Sequence, residues 1–400
     1  MENSQKPADW RVLIPFGTPY LYGMERAVIE TYDALRPEVM PEFLISTMAK
    51  KRRRPVVLEI ERRGFAHSFF PDTRDWPMVG RPRSLRHAWD LIVALIRGSS
   101  ATLRRVVTCD VLYVPTPIAI TSLPAAIYSR MTGRQVIYHF HDLNPPAWLV
   151  RLWSVLVSGF VHNTEFGRDH ALRRYPFLRR KRHMVAPPVT QTSRLCGGDP
   201  AIRSELAGKR NLLFVGRVDR SKGIDLLLAA FRSLASEYSD VHLQVVGGCA
   251  DEAQFQRTVA SMDLVSRVKL WGYRDDVYAF LRMAYVYVHP SPPSRFAESF
   301  GRGVAEAMSQ GVPVVCFRSG ALQEIVVPEK TGLICEEETA QCLASAIRRF
   351  LNNQELRDGF GDFARQRFDE RYADERVCAL WLRFLGRRQL AAGEVRVKIA

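Results

Sequence analysis

Apolar residues fall along the chain in short, nearly unbroken runs, and the stretches between them carry helical spacing. The first run, residues 11–15, precedes a turn-rich stretch and a helix predicted over 25–35. Further runs at 42–45, 55–60, 111–114, 136–140 and 159–162 are rich in β-branched residues and read as strands. The second half repeats the rhythm at 211–215, 242–246, 268–270, 285–289, 312–317 and 332–335. Continuous hydrophobicity of this kind marks strands covered by helices on both faces, as in parallel sheets. Leu227, Ala230, Phe231 and Leu234 keep one apolar helix face between two such runs. The pattern is α/β, with two consecutive open-sheet units. The polar, Gly- and Pro-bearing stretch 187–209 reads as the join. The expected division is residues 1–190, residues 191–374, and a tail, 375–400.

Length agrees with two units, since 400 residues exceed one ordinary core. With 47% hydrophobic and 25% charged residues the chain is globular rather than disordered or fibrous. No uncharged apolar run reaches the ~18–20 residues of a membrane span. The start is polar and lacks the pattern of a secretory signal. The seven cysteines are scattered, odd in number and free of any Cys-x-x-Cys pair, which points away from disulfides and zinc and toward a reducing cytoplasm.

Charge changes the picture more. The formal balance is +15. Residues 1–200 hold 29 Lys and Arg against 17 Asp and Glu, so basicity belongs to the first half. Nucleic acid, an anionic membrane surface and an acidic substrate are the candidate partners. No helix-turn-helix, zinc-finger or ribonucleoprotein pattern is present, which speaks against specific nucleic-acid recognition. The densest basic patches are 50–54 and 173–182. Residues 148–161 are nearly all apolar apart from Arg151. They fit either a membrane interface or, with more weight, a buried helix leading into the next strand.

In open α/β sheets, ligands bind beyond the carboxyl ends of the strands, so the residues after each strand carry the chemistry. After 211–215 comes Gly216-Arg217-Val218-Asp219-Arg220-Ser221-Lys222-Gly223. Arg217 and Lys222 place two cations beside a helix start, an arrangement that suits a diphosphate. An exposed basic turn capped by Asp219 or Ser221 would read the same way. After 285–289 come Pro290-Ser291 and the block Glu298-Ser299-Phe300-Gly301-Arg302-Gly303-Val304-Ala305-Glu306-Ala307-Met308. Glu298 and Glu306 are eight positions apart, about 12 Å if fully helical, so they suit opposite ends of an extended ligand rather than one shared proton or metal. Amides near Phe300 and Gly301 open a helix and favour a phosphate. A dipole-compensating acid would explain Glu298, but it explains Glu306 poorly among its apolar neighbours.

These stretches together resemble the retaining GT-B-fold glycosyltransferases of family 4 (glycosyl transferases group 1). The Glu-x7-Glu block with its trailing Glu-Ala-Met-x-x-Gly-x-Pro-Val-Val is specific. Val246-Gly247, Gly272, Pro290-Ser291, Ser319-Gly320 and Thr331-Gly332 fall in the expected order. The resemblance implies two Rossmann-like open parallel-sheet domains facing a cleft. It implies that Arg217 and Lys222 bind a donor diphosphate near Gly216. Glu298 would hold donor-sugar hydroxyls, and Glu306 the ribose. The Phe300 and Gly301 amides would meet the distal phosphate or sugar, and residues near Gly272 and Tyr273 would edge the base. Tyr22-Gly23-Met24-Glu25-Arg26 resembles the family's Gly-Gly-x-x-Arg loop with Tyr22 in place of one glycine, leaving Gly23 to approach the phosphates. His141, after strand 136–140 and before Asp142, would lie beside the transferred sugar. His139 competes with it, with the structural role preferred for His139 and the functional one for His141. The family's Asn-Gly before the linker is replaced here by Pro187-Pro188.

The implied reaction is hexosyl transfer, with retention, from a nucleoside-diphosphate sugar (UDP or GDP) to a glycan, lipid-linked or small-molecule acceptor. No prosthetic group is expected. No Asp-x-Asp triplet occurs, so no metal-bridged diphosphate is expected either. Cell-envelope or exopolysaccharide assembly at the inner face of a membrane is the implied setting. A small soluble acceptor is the alternative. Outside this reading stand a sugar phosphorylase with a lysine-bound pyridoxal phosphate, a nucleotide-sugar epimerase and a non-catalytic basic binding protein. The last explains the charge but not the Glu298/Glu306 block. An NAD enzyme is disfavoured because no Gly-x-Gly-x-x-Gly follows an early strand.

Overall fold

Two all-parallel sheets organise the chain, each with apolar cores on both faces. The structure is a computed structural model, and it describes residues 10–16, 21, 23–36, 38–46, 55–70, 85–115, 120–191 and 200–386. In the first sheet the strands are β1 (Trp10–Phe16), β2 (Val39–Ser46), β3 (Ala66–Phe70), β4 (Val111–Val114), β5 (Gln135–Phe140), β6 (Gly159–His162) and β7 (His183–Val185). Their order is β3-β2-β1-β4-β5-β6-β7. The second sheet is formed by β8 (Arg210–Val215), β9 (Val241–Val246), β10 (Val268–Leu270), β11 (Ala284–His289), β12 (Val314–Phe317) and β13 (Gly332–Cys335), in the order β10-β9-β8-β11-β12-β13.

Alternation along each central strand explains the continuous hydrophobic runs. Val12 and Ile14 enter one core and Leu13 the other; Leu212 and Phe214 enter one core and Leu213 the other. Both faces are buried, so apolar residues dominate these strands, and polar ones such as His139 in β5 and Gln244 in β9 are few and buried. The chain divides into two units by contact. The first holds β1–β7 and the terminal helix Asp374–Phe384, whose Val377, Trp381 and Phe384 join the core beside Val12 and Tyr32. The second holds β8–β13, together with the short stretch Asn163–His170.

One expected strand is wrong. Residues 55–60 lie in an α-helix, Pro55–Arg62. A strand would put residues 56, 58 and 60 on one face, but Val56, Val57 and Ile60 are buried while Leu58 is half exposed. That is the i, i+1, i+4 spacing of a helix, and Pro55 suits its first position. The β-branched content masked this pattern. Strands β3 and β7 were not expected; β3 opens on Ala66-His67-Ser68 and buries only Phe70, and β7 has three residues.

Residues 148–161 form the helix Ala147–Leu156 and β6. Its inner face, Leu149, Val150 and Trp153, is buried, but an outer face is not. Among the described residues no helix is long and apolar enough to cross a membrane. The basic patch 50–54, Tyr22 and residues 192–199 of the expected join lie outside the described residues.

Candidate functional site

β8 and β11 are neighbours in the second sheet, yet their connections leave to opposite sides, β8 to β9 and β11 to β12. Such a switch point opens a crevice beyond the carboxyl ends of the two strands. The two stretches singled out in the sequence follow these two strands.

After β8, Asp219 caps one tight helical turn, Arg220–Lys222, its carboxylate accepting from the Lys222 amide at 3.2 Å. Gly223 follows at φ +72°, where a Cβ would stand 1.8 Å from the Pro290 carbonyl oxygen. A side chain there is excluded both by conformation and by space. The loop after β8 is thereby pressed against the loop after β11, and Lys222 is aimed across the join. Its Nζ donates to Glu298 Oε1 at 2.6 Å and lies 3.6 Å from the centre of the Phe296 ring.

Glu298 is fixed through its backbone. Gly320, at φ +53°, brings the chain so close that a Cβ would fall 2.1 Å from the Glu298 carbonyl oxygen. The Ala321 amide donates to that same oxygen at 2.8 Å, and Ser319 Oγ donates to the Phe296 carbonyl at 2.9 Å. This gives the Ser319-Gly320 pair a physical role: it seats the carboxylate.

Three side chains converge on Glu298 Oε1. Besides Lys222, Ser291 Oγ donates at 2.8 Å, and His289 Nε2 lies at 2.9 Å. A carboxylate only accepts, so His289 Nε2 carries a proton toward it. Burial would raise the Glu298 carboxyl, but the charge and hydrogen bonds of His289 and Lys222 outweigh it and hold the group at about 2. Glu298 is therefore an anion, with Oε1 saturated. Among the described residues, no donor engages Oε2.

His289 was not identified from the sequence. It ends β11, and the rule applied to His141, that strand-end residues face the ligand crevice, would have found it. Its Nδ1 lies 3.4 Å from the Tyr287 hydroxyl, which donates to the Val215 carbonyl at 3.3 Å. Burial pushes the Tyr287 hydroxyl well up, and the negative charges of Glu306 and Glu298 push it further. Tyr287 thus feels both acids.

The helix Arg302–Ser309 begins at the N-cap Gly301. Its first amides have no intrahelical acceptor. The Phe300 ring is buried against Tyr372, so only its backbone amide is a candidate for contact. Glu306 is buried one turn into this helix and accepts from Arg302 Nε at 2.7 Å. Arg217 is half exposed and lightly held, its guanidinium 3.4 Å from both Asp219 and Ser221. The Gly216 amide donates to the Val246 carbonyl at 2.9 Å. Gly272 follows β10, and its carbonyl accepts from the Gly247 amide at 2.8 Å. Tyr273 is exposed and donates to Asp275 at 3.1 Å. The structure thus brings Lys222 and Glu298 into contact, sets Arg217 and Glu306 in the adjoining loop and helix, and leaves Gly272 and Tyr273 two strands from β8.

The first unit has its own switch point, between β1 and β4. Gly23 opens the helix Gly23–Ala34, and among the described residues a Cβ on it would meet nothing within 4 Å. His139 is buried, with Nδ1 2.6 Å from the Tyr113 hydroxyl and its ring beside Trp381. His141 lies just past the end of β5, its ring centre 3.9 Å from that of His139. Desolvation pushes the His141 imidazole down to about 3, so it is neutral near neutral pH. Among the described residues no group of acids, histidines or cysteines could hold a metal ion.

Residues 200–367, which include every second-unit residue named above as a candidate, match the family model described as glycosyl transferases group 1. An uncharacterized glycosyltransferase of Haemophilus influenzae is 27% identical over 173 residues, 43% of this chain and 48% of that protein. A D-inositol 3-phosphate glycosyltransferase of an Arthrobacter species is 31% identical over 194 residues, 44% of each chain. The chain therefore matches about half the length of these curated relatives. Among solved structures, Anabaena HepE in complex with UDP and glucose superposes with a TM-score of 0.74 at 18% identity, over 94% of this chain and 99% of that one. This likeness establishes the GT-B fold, with its two Rossmann-like parallel-sheet domains.

Proposed function

From the premise that residues 200–367 belong to the glycosyl transferases group 1 family, we propose that the chain is a retaining, family 4 type glycosyltransferase. It moves a hexosyl group from a UDP- or GDP-sugar to a glycan or lipid-linked acceptor in envelope or exopolysaccharide assembly, on the cytoplasmic side. The observation that carries the reading is the Lys222–Glu298 pair at the β8/β11 switch point, inside the matched segment.

In this reading the arriving diphosphate draws Lys222 from Glu298, and Arg217 turns onto the same anion. Both cations are free to do so: Lys222 is a point charge on a flexible stem, and Arg217 is weakly tethered. Gly216 and the Phe300 and Gly301 amides supply uncharged approach and backbone donors. Glu298 keeps Oε1 on His289 and Ser291 and offers Oε2 to hydroxyls of the sugar. Glu306 takes the ribose hydroxyls, and Gly272 and Tyr273 edge the base. The family resemblance adds Gly23, toward the phosphates, and His141, a neutral hydrogen-bonding group for the sugar.

Transfer breaks the bond from the anomeric carbon to the β-phosphate oxygen and forms one to the acceptor oxygen, on the same face. The acceptor proton leaves to the departing phosphate. Negative charge grows on that phosphate, and the cations and amides already gathered around it when the donor binds stabilise it without further reorganisation. The chain's own cations suffice for this in our reading, and no divalent ion or prosthetic group takes part. The test is incubation of the purified chain with UDP- and GDP-hexoses and acceptor extracts, with proton NMR of the product. A glycoside with the donor's anomeric configuration, formed equally in a chelator, is expected. An inverted product, or strict dependence on an added metal, would refute the mechanism.

A further inference from the structure

The helix Ala147–Leu156 is apolar almost all round, which normally marks a helix enclosed by protein. Only one face is enclosed. Trp148 is 64% exposed, Leu152 41% and Val155 69%, and their i, i+4, i+7 spacing puts them on one outward stripe. The adjacent helix Leu123–Met131 adds Met131, 82% exposed, and Ile127, 48% exposed. Single exposed apolar residues are ordinary, but a row of large ones on neighbouring helices is not.

The rim of this face is basic. The Arg151 guanidinium lies over the Phe177 ring at 5.7 Å, and the Tyr175 hydroxyl donates to the Pro145 carbonyl, so residues 171–182 are tied to the start of the helix. Arg173, Arg174, Arg179, Arg180 and Lys181 are all exposed there. Across residues 123–182 the sequence has ten Lys or Arg and three acids, Asp142, Glu165 and Asp169, the last two paired with Arg168. An apolar stripe alone would accept many partners. A stripe rimmed almost wholly by cations selects an anionic one and disfavours a second copy of the same face, which would bring the two rims together.

We propose that this face of the first unit docks on an anionic lipid bilayer. Trp148, Leu152, Val155 and Met131 enter the headgroup–acyl boundary, and the arginine rim meets the lipid phosphates. The inference stands on the first unit alone and does not require the transfer reaction, so binding and activity are separate readouts.

The test is cosedimentation of the full chain with vesicles of phosphatidylcholine alone, or with about one third phosphatidylglycerol, at low and high salt. Binding to the anionic vesicles only, weakened by salt, is expected. Trp148→Glu/Val155→Glu should lower the bound fraction about tenfold. Arg173→Glu/Arg180→Glu should lower it similarly and flatten the salt dependence. Circular dichroism reports whether these surface variants remain folded. Wild-type protein left in the supernatant would overturn the proposal. So would folded variants that bind as tightly as wild type, or a wild-type dimer that Trp148→Glu dissociates while vesicles go unbound.

Discussion

The two units keep their candidate polar groups in different ways. In the second, Lys222, His289 and Ser291 share one carboxylate oxygen, and the loops that carry them are locked by glycines with no room for a side chain. In the first, nothing among the described residues stands within 4 Å of a Cβ on Gly23, and His141 leans on a core histidine. A cluster built that tightly stores a defined charge pattern before any ligand arrives. The contrast is between candidate groups locked together around one carboxylate and candidate groups that no such cluster holds among the described residues.

The strongest way to break this comparison is at the shared carboxylate. Glu298→Gln keeps the shape but removes the charge, and should reduce transfer about a thousandfold while the chain stays folded. Product assays beside circular dichroism check both halves of that expectation. Next, Gly320→Ala should cost about 3 kcal/mol in denaturant unfolding, because its Cβ would collide with the Glu298 backbone. The matched change in the first unit, Gly23→Ala, should alter stability by no more than about 0.5 kcal/mol. If the two glycines cost the same, the contrast is lost.

A smaller effect sharpens it. His289→Phe removes a donor from Glu298 Oε1 and should lower kcat about tenfold, the worth of one charge-assisted hydrogen bond. KM for the donor should hardly move, and the acid limb of the kcat profile should shift upward as Glu298 loses a cationic neighbour. His289→Gln, which can still donate, should restore most of the rate. A purely structural histidine would give neither the pH shift nor the rescue.

The last effect is on acid stability. Glu298 sits at about 2 when folded, against an ordinary glutamate value of 4.5. Its contribution is therefore complete above 4.5 and is lost as pH falls from there toward 2. Melting temperatures of wild type should drop more steeply through that window than those of Glu298→Gln.

Much of this arrangement was legible in the sequence because the information is local. Uninterrupted apolar runs announced buried parallel strands, and the residues just after β8 and β11 announced the cations and acids. What could not be read was contact between segments far apart in the chain. Gly223 against Pro290 and Gly320 against Glu298 are visible as necessities only once the loops meet. His289 stayed hidden because it closes an apolar run, and the strand-end rule was applied to His141 and not to it. The helix Pro55–Arg62 was misread for a related reason: its β-branched residues suit a strand, and packing decided otherwise. For residues 148–161 the buried-helix reading was preferred to an interfacial one, and Ala147–Leu156 is buried on one side only, since hydrophobicity on all sides does not say which side is covered.

The central claim is that Lys222 and Glu298 form a poised receptor for a sugar nucleotide. Calorimetric titration of wild type and Lys222→Ala with UDP-, GDP-, ADP- and dTDP-sugars addresses it directly. The account predicts that at least one sugar nucleotide binds wild type, and that Lys222→Ala weakens that binding about tenfold or more. Equal affinity in the two proteins, or no binding of any sugar nucleotide to wild type, would contradict it.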